Sequence, residues 1–233
     1  MANKLWDKGF KEDERIDAFT VGNDRELDHE LAPYDIMGTM AHITMLESVG
    51  LLSKEDLDKL LPVLKELYSS ACKGELYVEE DVEDIHSQIE LMLTRRLGDV
   101  GKKVHTGRSR NDQVLVDLKL YARAEIENTV HKVESLFNTL QEASERYKDV
   151  LIPGYTHLQV AMPSSFGLWF GAYAESLCDD LSIMKAAWDV VNLNPLGSAA
   201  GYGSSAPLNR TLTTVLLGFE DLDYNSVYAQ MTR

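Results

Sequence analysis

The chain has 233 residues, of which 44% are hydrophobic and 26% are charged, and its formal net charge is −15. This length and composition are typical of a globular protein with one large or two small domains. The strong negative charge argues against a general affinity for nucleic acid or an anionic membrane surface, and no apolar run is long enough to cross a membrane.

Helical periodicity dominates the first third of the chain. The pattern predicts a helix over residues 34–49 that ends at Gly50. Ser53 is predicted to cap the next helix, because Asp56 follows three residues later in a capping-box pattern. A third helix is predicted over residues 82–97. The apolar side of the second helix consists of Leu57, Leu60, Leu61, Leu64 and Leu67.

Two much longer helices are predicted in the middle of the chain. Neither glycine nor proline occurs between Gly107 and Pro153, and apolar or small residues recur there at steps of three and four. This spacing indicates a helix of about 40 residues and about 60 Å. A second long helix is predicted from Pro163 to Val191, and we find no convincing hairpin. Its two glycines could let a neighbouring helix approach closely; they are Gly167 and Gly171.

Helices of this length cannot cover their apolar stripes alone, which predicts a bundle shared between subunits. The predicted fold class is therefore all-α, with a small N-terminal helical domain (1–108) and the first part of a central bundle of long helices (109–233). The Gly/Ser-rich stretch 196–205 is predicted to be a flexible loop. A short helix is expected near residues 208–217, and Ser226 is predicted to cap a last helix.

Two features bear on the cellular compartment. The N-terminal residues MANKLWDKGFKEDE lack the apolar core of a signal peptide. Cys72 and Cys178 match no metal or redox spacing. A cytoplasmic protein with reduced thiols is therefore expected.

The nine residues HTGRSRNDQ (105–113) concentrate polar groups directly before the first long helix. Ser109 or Asn111 is placed to cap this helix, and the free N–H groups of a helix N-terminus favour an anion. Arg108 and Arg110 can each bind a carboxylate through two hydrogen bonds. The pattern indicates a site for a small di- or tricarboxylate. The alternative, which the residues leave open, is a capped helix whose arginines pair with acidic neighbours.

A second polar cluster, GYTHLQVAMP (154–163), connects the two long helices. It holds Thr156, His157 and Gln159 in a short turn, and histidine is the usual proton-transfer residue near neutral pH. The alternative is a histidine that is hydrogen-bonded within a loop. His86 is a further candidate, although a lone helical histidine is more often structural. No nucleophile, nucleotide or metal motif is found, so neither metal nor cofactor is expected.

HTGRSRNDQV followed by GYTHLQVAMP, at this separation and on long helices, resembles the argininosuccinate lyases. That family belongs to the fumarase and aspartase superfamily and has the δ-crystallins as close relatives. The resemblance extends from LWDKGF (5–10) through EDIH (83–86) to LGSAAGYGSSAPLNR (196–210). It implies a cytoplasmic homotetramer in which each active site gathers segments from three subunits.

The implied reaction is a cofactor-free anti elimination that converts argininosuccinate to arginine and fumarate, in arginine biosynthesis. The catalytic positions carried over from the family are His157, as the acid–base histidine, and Thr156. The positions carried over for substrate binding are Ser109, Arg110, Asn111, Gln159, His86 and Arg210. The implied partners are a small-molecule substrate and further copies of the chain, with no nucleic acid and no membrane.

Two departures from the family pattern affect this expectation. An early serine that contacts the substrate in the family falls here on Asp24. The third family motif, a mobile loop of the GSS type with a catalytic serine, would lie beyond Arg233. The chain therefore reads as truncated, and we expect it to be inactive alone.

Three alternatives stay open at the level of sequence. An adenylosuccinate-lyase-type enzyme performs the same elimination but needs a surface for phosphate and purine. A crystallin-like structural homologue would keep the fold without turnover. A plain helical bundle that binds partners would explain the long stripes but not the clustered arginine, asparagine, threonine and histidine.

Overall fold

A computed structural model describes residues 14–232, so LWDKGF (5–10) lies outside the described residues. Helices predominate in the described part and the strands are few, which confirms the all-α class. The helices are α1 (Glu14–Val21), α2 (Asp24–Leu27), α3 (Ala32–Ser48), α4 (Lys54–Cys72), α5 (Ile85–Leu97), α6 (Asp99–Lys102), α7 (Arg110–Arg146), α8 (Phe166–Val191), α9 (Arg210–Leu216) and α10 (Ser226–Met231). The strands are β1 (Leu151–Thr156), β2 (Gln159–Ser165), β3 (Leu193–Asn194) and β4 (Asp221–Leu222).

The chain divides into two compact units. Among the described residues, the first unit comprises 14–121 and 192–232, and the second comprises 122–191. Helix α7 begins in the first unit and ends in the second. The predicted division of the sequence after residue 108 stays a prediction. Within residues 14–232, no helix is both long and apolar enough to cross a membrane.

The main core of the first unit is built by α3, α4 and α5. The predicted cap of α4 is confirmed, because the Asp56 N–H donates to Ser53 Oγ at 3.1 Å. Helix α3 ends as predicted before Gly50, whose φ of +76° is unstrained only in glycine. Buried residues of this core include Ile36, Ile43, Leu46, Leu57, Leu60, Leu64, Leu67, Ile85 and Leu93. Leu61, predicted on the same stripe, is only partly buried.

A smaller core of the first unit joins the start of α7 to the C-terminal segment. Strands β3 and β4 pair in parallel beside it. The predicted last helix is present, but its cap is Asn225 and not Ser226. Asn225 Oδ1 accepts the N–H groups of Val227 and Tyr228 at 2.9 and 3.1 Å. The buried members of this core are Ala41, Val116, Leu120, Leu196, Leu217 and Phe219.

The second unit consists of most of α7, a β-hairpin and α8. Helix α7 has 37 residues, close to the predicted length. The prediction that the chain has no hairpin is wrong, because β1 and β2 pair antiparallel, with Pro153 opposite Pro163. Because residues 159–165 form strand β2, helix α8 begins at Phe166 and not at Pro163.

Gly167 allows the close approach that its position on α8 predicts. A Cβ atom at this residue would lie 2.6 Å from the Cα atom of Lys148 and 2.7 Å from the carbonyl oxygen of Ser144. The Ser144 hydroxyl donates to the Gly167 carbonyl oxygen at 2.7 Å. A Cβ atom at Gly171 would instead meet only Ser144 Oγ, at 3.5 Å, which is an ordinary contact. The two glycines therefore have different roles on one helix.

This difference predicts opposite effects of two alanine substitutions. We expect Gly167→Ala to lower the free energy of unfolding by about 1–3 kcal/mol, because backbone atoms must shift. Gly171→Ala is expected to raise it by about 0.5–1 kcal/mol, because alanine favours the helix and meets no obstacle. Urea unfolding followed by circular dichroism measures both changes. Equal shifts in the two variants would contradict the assigned close contact.

Candidate functional site

The N-terminus of α7 is closed by two side chains that act reciprocally. Ser109 Oγ accepts the N–H of Asn111 at 3.2 Å, and Asp112 Oδ1 accepts the N–H of Ser109 at 2.9 Å. This arrangement resembles a capping box with aspartate at N3, except that Ser109 Oγ accepts the N–H of N2. Of the two caps that the sequence allows, Ser109 is the one the structure uses.

The two arginines beside this cap are held by hydrogen bonds to neighbouring side chains, which for Arg110 include Gln113 Oε1 at 3.5 Å. The Nη1 of Arg108, a residue only 8% exposed, donates to Thr39 Oγ1 at 3.0 Å. Arg110 Nη2 donates to Ser87 Oγ at 3.2 Å, and its Nη1 lies 3.8 Å from Asp84 Oδ1. The Nε atoms of both arginines are buried and have no hydrogen-bond acceptor among the described residues. The two guanidinium groups place positive charge beside the N-terminus of α7, and this combination favours the binding of an anion.

Arg210, predicted to contribute to the same anion site, is placed against backbone carbonyl groups. Its Nε donates to the Leu196 oxygen at 2.9 Å, and its Nη2 donates to the oxygens of Asn194 and Asp223 at 3.3 and 2.8 Å. Burial lowers the pKa of the Arg210 guanidinium below its ordinary value. These contacts favour a role in holding the 196–205 loop, and a role in substrate binding stays a prediction.

His86 lies in a buried acidic cluster of the first unit. The residue is 4% exposed, and its Nδ1 lies 3.1 Å from Asp35 Oδ1 and 3.3 Å from Asp117 Oδ2. Asp35 Oδ1 also accepts from Gln113 Nε2 at 2.5 Å. Sequence reasoning selected His86 but missed the two aspartates. One feature of the sequence could have identified them. Each aspartate lies beside an apolar residue that faces the core, Asp35 beside Ile36 and Asp117 beside Val116.

Asp35, His86 and Asp117 are the group of described side chains that could hold a metal ion. Two observations argue against a cation in this place. His86 Nδ1 is hydrogen-bonded to Asp35 Oδ1, and Arg108 and Arg110 already place two positive charges near the cluster. Burial raises the pKa of Asp117 well above its ordinary value, and the negative charge of Asp35 adds to the effect. Burial therefore favours the neutral form of Asp117 at a higher pH than in the unfolded chain, although the charges of Arg108 and Arg110 act in the opposite direction.

Asparagine substitutions test where this proton lies. Asp117→Asn, which resembles the protonated carboxyl, is expected to leave the free energy of unfolding at neutral pH unchanged or increased. Asp35→Asn is expected to lower it by about 1–3 kcal/mol, because it weakens an acceptor that Gln113 and His86 use. The isosteric pair of variants makes the comparison direct.

The same proton makes stability depend on pH. The unfolded chain releases it near pH 4, whereas the folded chain keeps it to higher pH, so the wild-type stability contribution falls as pH rises through this window. The slope is at most about 1.4 kcal/mol per pH unit for one proton. Urea unfolding at pH 5, 6 and 7 should show that Asp117→Asn loses this slope. Identical slopes for the wild type and the variant would place the proton elsewhere.

The second predicted cluster forms the tip of the β1–β2 hairpin in the second unit. Thr156 pairs with Gln159, and the two residues between them are His157 and Leu158. Both have positive φ, +49° and +65°, as a two-residue type I′ turn requires, although neither is glycine or asparagine. His157 is exposed. Such a strained conformation persists only where the surroundings hold it and is common at functional sites.

The predicted site residues fall into two groups. Ser109, Arg110 and Asn111 lie together at the start of α7 in the first unit, where His86 and Arg210 also lie. Thr156, His157 and Gln159 lie together on the hairpin of the second unit.

Comparison with known proteins places the chain among lyases. A family model described as "Lyase" matches residues 8–224. The argininosuccinate lyase of Parabacteroides distasonis is 66% identical over the whole chain, and that of Thermotoga neapolitana is 38% identical. The chain spans about half the length of such curated relatives, 52% and 58% for these two.

Two solved structures are similar to this chain in fold. A variant of EDDS lyase with bound fumarate superposes with a TM-score of 0.76 at 29% identity, over 95% of this chain and 44% of the other. A fumarate lyase or δ-crystallin from Brucella melitensis bound to cobalt has a TM-score of 0.74 at 17% identity, over 87% of this chain and 49% of the other. The second likeness concerns the fold alone.

Proposed function

Since the chain belongs to the lyase family whose model matches residues 8–224, we propose that the protein at its natural length is an argininosuccinate lyase of arginine biosynthesis. The 66% identity to the Parabacteroides distasonis enzyme supports this assignment. The substrate is argininosuccinate and the products are arginine and fumarate. The bound fumarate of the similar EDDS lyase variant agrees with such a product.

The observation that carries the proposal is the cationic start of α7. The cap Ser109, Asn111 and two arginines lie together at a helix N-terminus. In the elimination, a base removes a proton from the carbon next to a carboxylate, which makes that end of the substrate doubly negative. Fixed donors and cations stabilise this developing charge, and this is usually the largest catalytic contribution. An argininosuccinate tricarboxylate also needs such groups in its ground state.

His157 supplies the proposed acid–base group. Removal of the proton forms the carbon–carbon double bond of fumarate while the carbon–nitrogen bond breaks. The departing guanidine of arginine keeps the electron pair of that bond and takes up a proton. His157 acts in these proton transfers, and Thr156 and Gln159, its neighbours on the hairpin, bind substrate carboxylates. The chemistry needs neither a metal nor an organic cofactor.

The proposed assembly is a cytoplasmic homotetramer whose active sites are shared between subunits. Support comes from the second unit, where only Gly167 and Ala174 of α8 are buried. Large apolar side chains of its hairpin and of α8 are exposed in the single chain, among them Leu151, Leu158, Val160, Met162, Leu168 and Ile183. Apolar surface on this scale is typical of an interface between subunits. His86 and Arg210 complete the proposed substrate surroundings.

Fumarate release, followed by ultraviolet absorbance, tests the proposal. The protein at its natural length should release fumarate from argininosuccinate and not from adenylosuccinate. The 233-residue chain, which spans about half of its relatives, should release none unless the remaining part is supplied as a second polypeptide. A folded natural-length protein without turnover would favour the crystallin-like alternative, and turnover of adenylosuccinate would favour the other lyase type.

A further inference from the structure

A buried residue that takes no part in the proposed reaction holds the proposed carboxylate site in place. Resting on the proposed function, we propose that Asp112 is its positioning residue. Asp112 holds the N-terminus of α7 and the glycine-rich loop 196–203 in the relative arrangement that substrate binding needs. The residue does not touch the substrate, because its carboxylate is engaged by backbone N–H groups.

Asp112 is fully buried and uses both carboxylate oxygens. Its Oδ1 accepts the N–H of Ser109 at 2.9 Å. Its Oδ2 accepts the N–H groups of Gly197 and Ala199 at 2.9 and 3.0 Å. One side chain therefore joins two segments that are 85 residues apart in sequence. Hydrogen bonds to an ionised acceptor in a buried place are among the stronger ones in proteins.

The loop adopts a conformation that depends on this carboxylate. Gly197 has a φ of +91°, and Ala199 has a φ of +53°, which is uncommon for a residue with a Cβ atom. As a result, the N–H groups of Gly197 and Ala199 both point toward Asp112 Oδ2. Without the carboxylate, these two N–H donors would be unsatisfied. The positive φ of Ala199 would then no longer be stabilised by a hydrogen bond to Asp112.

Two further side chains hold the loop from other directions. Arg210 Nε donates to the Leu196 carbonyl oxygen at 2.9 Å. Gln230 Nε2 donates to Ser198 Oγ at 3.2 Å and to the Ala199 oxygen at 3.3 Å. Arg210 and Gln230 contact the loop, whereas Asp112 also reaches the cap of α7. Among these three, only Asp112 therefore has a hydrogen bond to the loop and another to the cap of α7.

The position of Asp112 explains why an aspartate is needed there. It directly follows Arg110 and Asn111, so a shift of its side chain moves the first turn of α7 that carries them. An asparagine of the same shape has one oxygen and one NH2 group, and the NH2 group would face an N–H donor. Misplacement of binding groups by about 1 Å lowers reactivity by about 100-fold.

Asp112→Asn in the natural-length protein tests this proposal. Hydrogen–deuterium exchange should become faster in two peptides at once, residues 105–113 and residues 194–203. The inhibition constant of succinate, a dicarboxylate probe, should rise by about 10- to 100-fold. Asp99→Asn is the matched control, because Asp99 also begins a helix but is exposed and pairs with Lys102. The control should change neither readout.

The extent of the faster exchange separates positioning from a general loss of structure. If Asp112 acts as a positioning residue, Asp112→Asn should leave the exchange of residues 57–67, in the main core of the first unit, unchanged. Faster exchange of that core, or faster loop exchange with unchanged succinate binding, would overturn the proposal. If Asp112→Asn does not fold, Asp112→Glu carries the same comparison, because the longer side chain cannot keep both sets of bonds. Absence of fumarate release by the wild type would instead refute the lyase assignment, while the exchange of the two peptides would still report on the coupling.

Discussion

Replacing His157 with asparagine in the natural-length protein should lower kcat for fumarate release by about 100- to 10,000-fold, the usual range for loss of general acid–base catalysis. Asparagine is chosen because of the backbone at this residue. His157 has a φ of +49° in a two-residue turn, and asparagine is among the residues that favour this conformation. The variant removes the imidazole while the hairpin keeps its geometry.

His131→Asn provides the matched control. The His131 side chain is 80% exposed on α7 and lies 3.9 Å from Glu134. Its replacement should leave kcat within about twofold of the wild type, as for most exposed substitutions. A His157→Asn enzyme that retains wild-type kcat would remove His157 from the proton transfers and leave Thr156 and Gln159 as carboxylate-binding groups only.

The long helices and the caps of this fold follow from local patterns in the sequence. Steps of three and four, free of glycine and proline, predict α7 because one apolar stripe and one N-terminal cap suffice to define it. The Ser53 cap depends on two residues three positions apart. The proposed anion site at the start of α7 could be predicted for the same reason, since its residues are contiguous in the chain.

The hairpin was missed because its signals are those of helix ends. Pro153-Gly154 reads as a helix stop and Pro163 as a helix start, yet the two prolines lie opposite each other in one antiparallel pair. The turn between the strands also lacks the Asn-Gly or Gly-rich signature from which hairpins are predicted. Here the turn residues His157 and Leu158 adopt positive φ without the favourable residue types.

Buried charges were missed because they depend on contacts between distant segments. Asp112 reaches Gly197, and Asp35 meets His86 and Asp117, across separations that no periodicity records. A single sequence shows such residues as ordinary polar positions on a helix. The polar residues that join motifs to one another are thus harder to predict than the motifs themselves.

Lys119 provides the strictest test of these buried charges. Its Nζ donates to Asp223 Oδ2 at 2.5 Å and to the Leu193 carbonyl oxygen at 3.1 Å, and the two charged side chains are 6% and 0% exposed. Lys119→Met should lower the free energy of unfolding by about 3–5 kcal/mol, because it leaves the Asp223 carboxylate buried without its partner. Urea unfolding of the 233-residue chain measures the change.

Two further variants show whether the loss of stability in Lys119→Met arises from the unpaired charge of Asp223. Lys185→Met breaks the exposed pair with Asp189, whose side chains are 73% and 59% exposed, and should cost about 0.5 kcal/mol or less. Adding Asp223→Leu to Lys119→Met should restore most of the lost stability, since removal of both charges leaves no buried ion to solvate. The double variant could instead stay as unstable as Lys119→Met. In that case the start of α7 is joined to β3 by the hydrogen bond from Lys119 to Leu193 and by the packing of the Lys119 methylene groups, and not by the charge of Asp223.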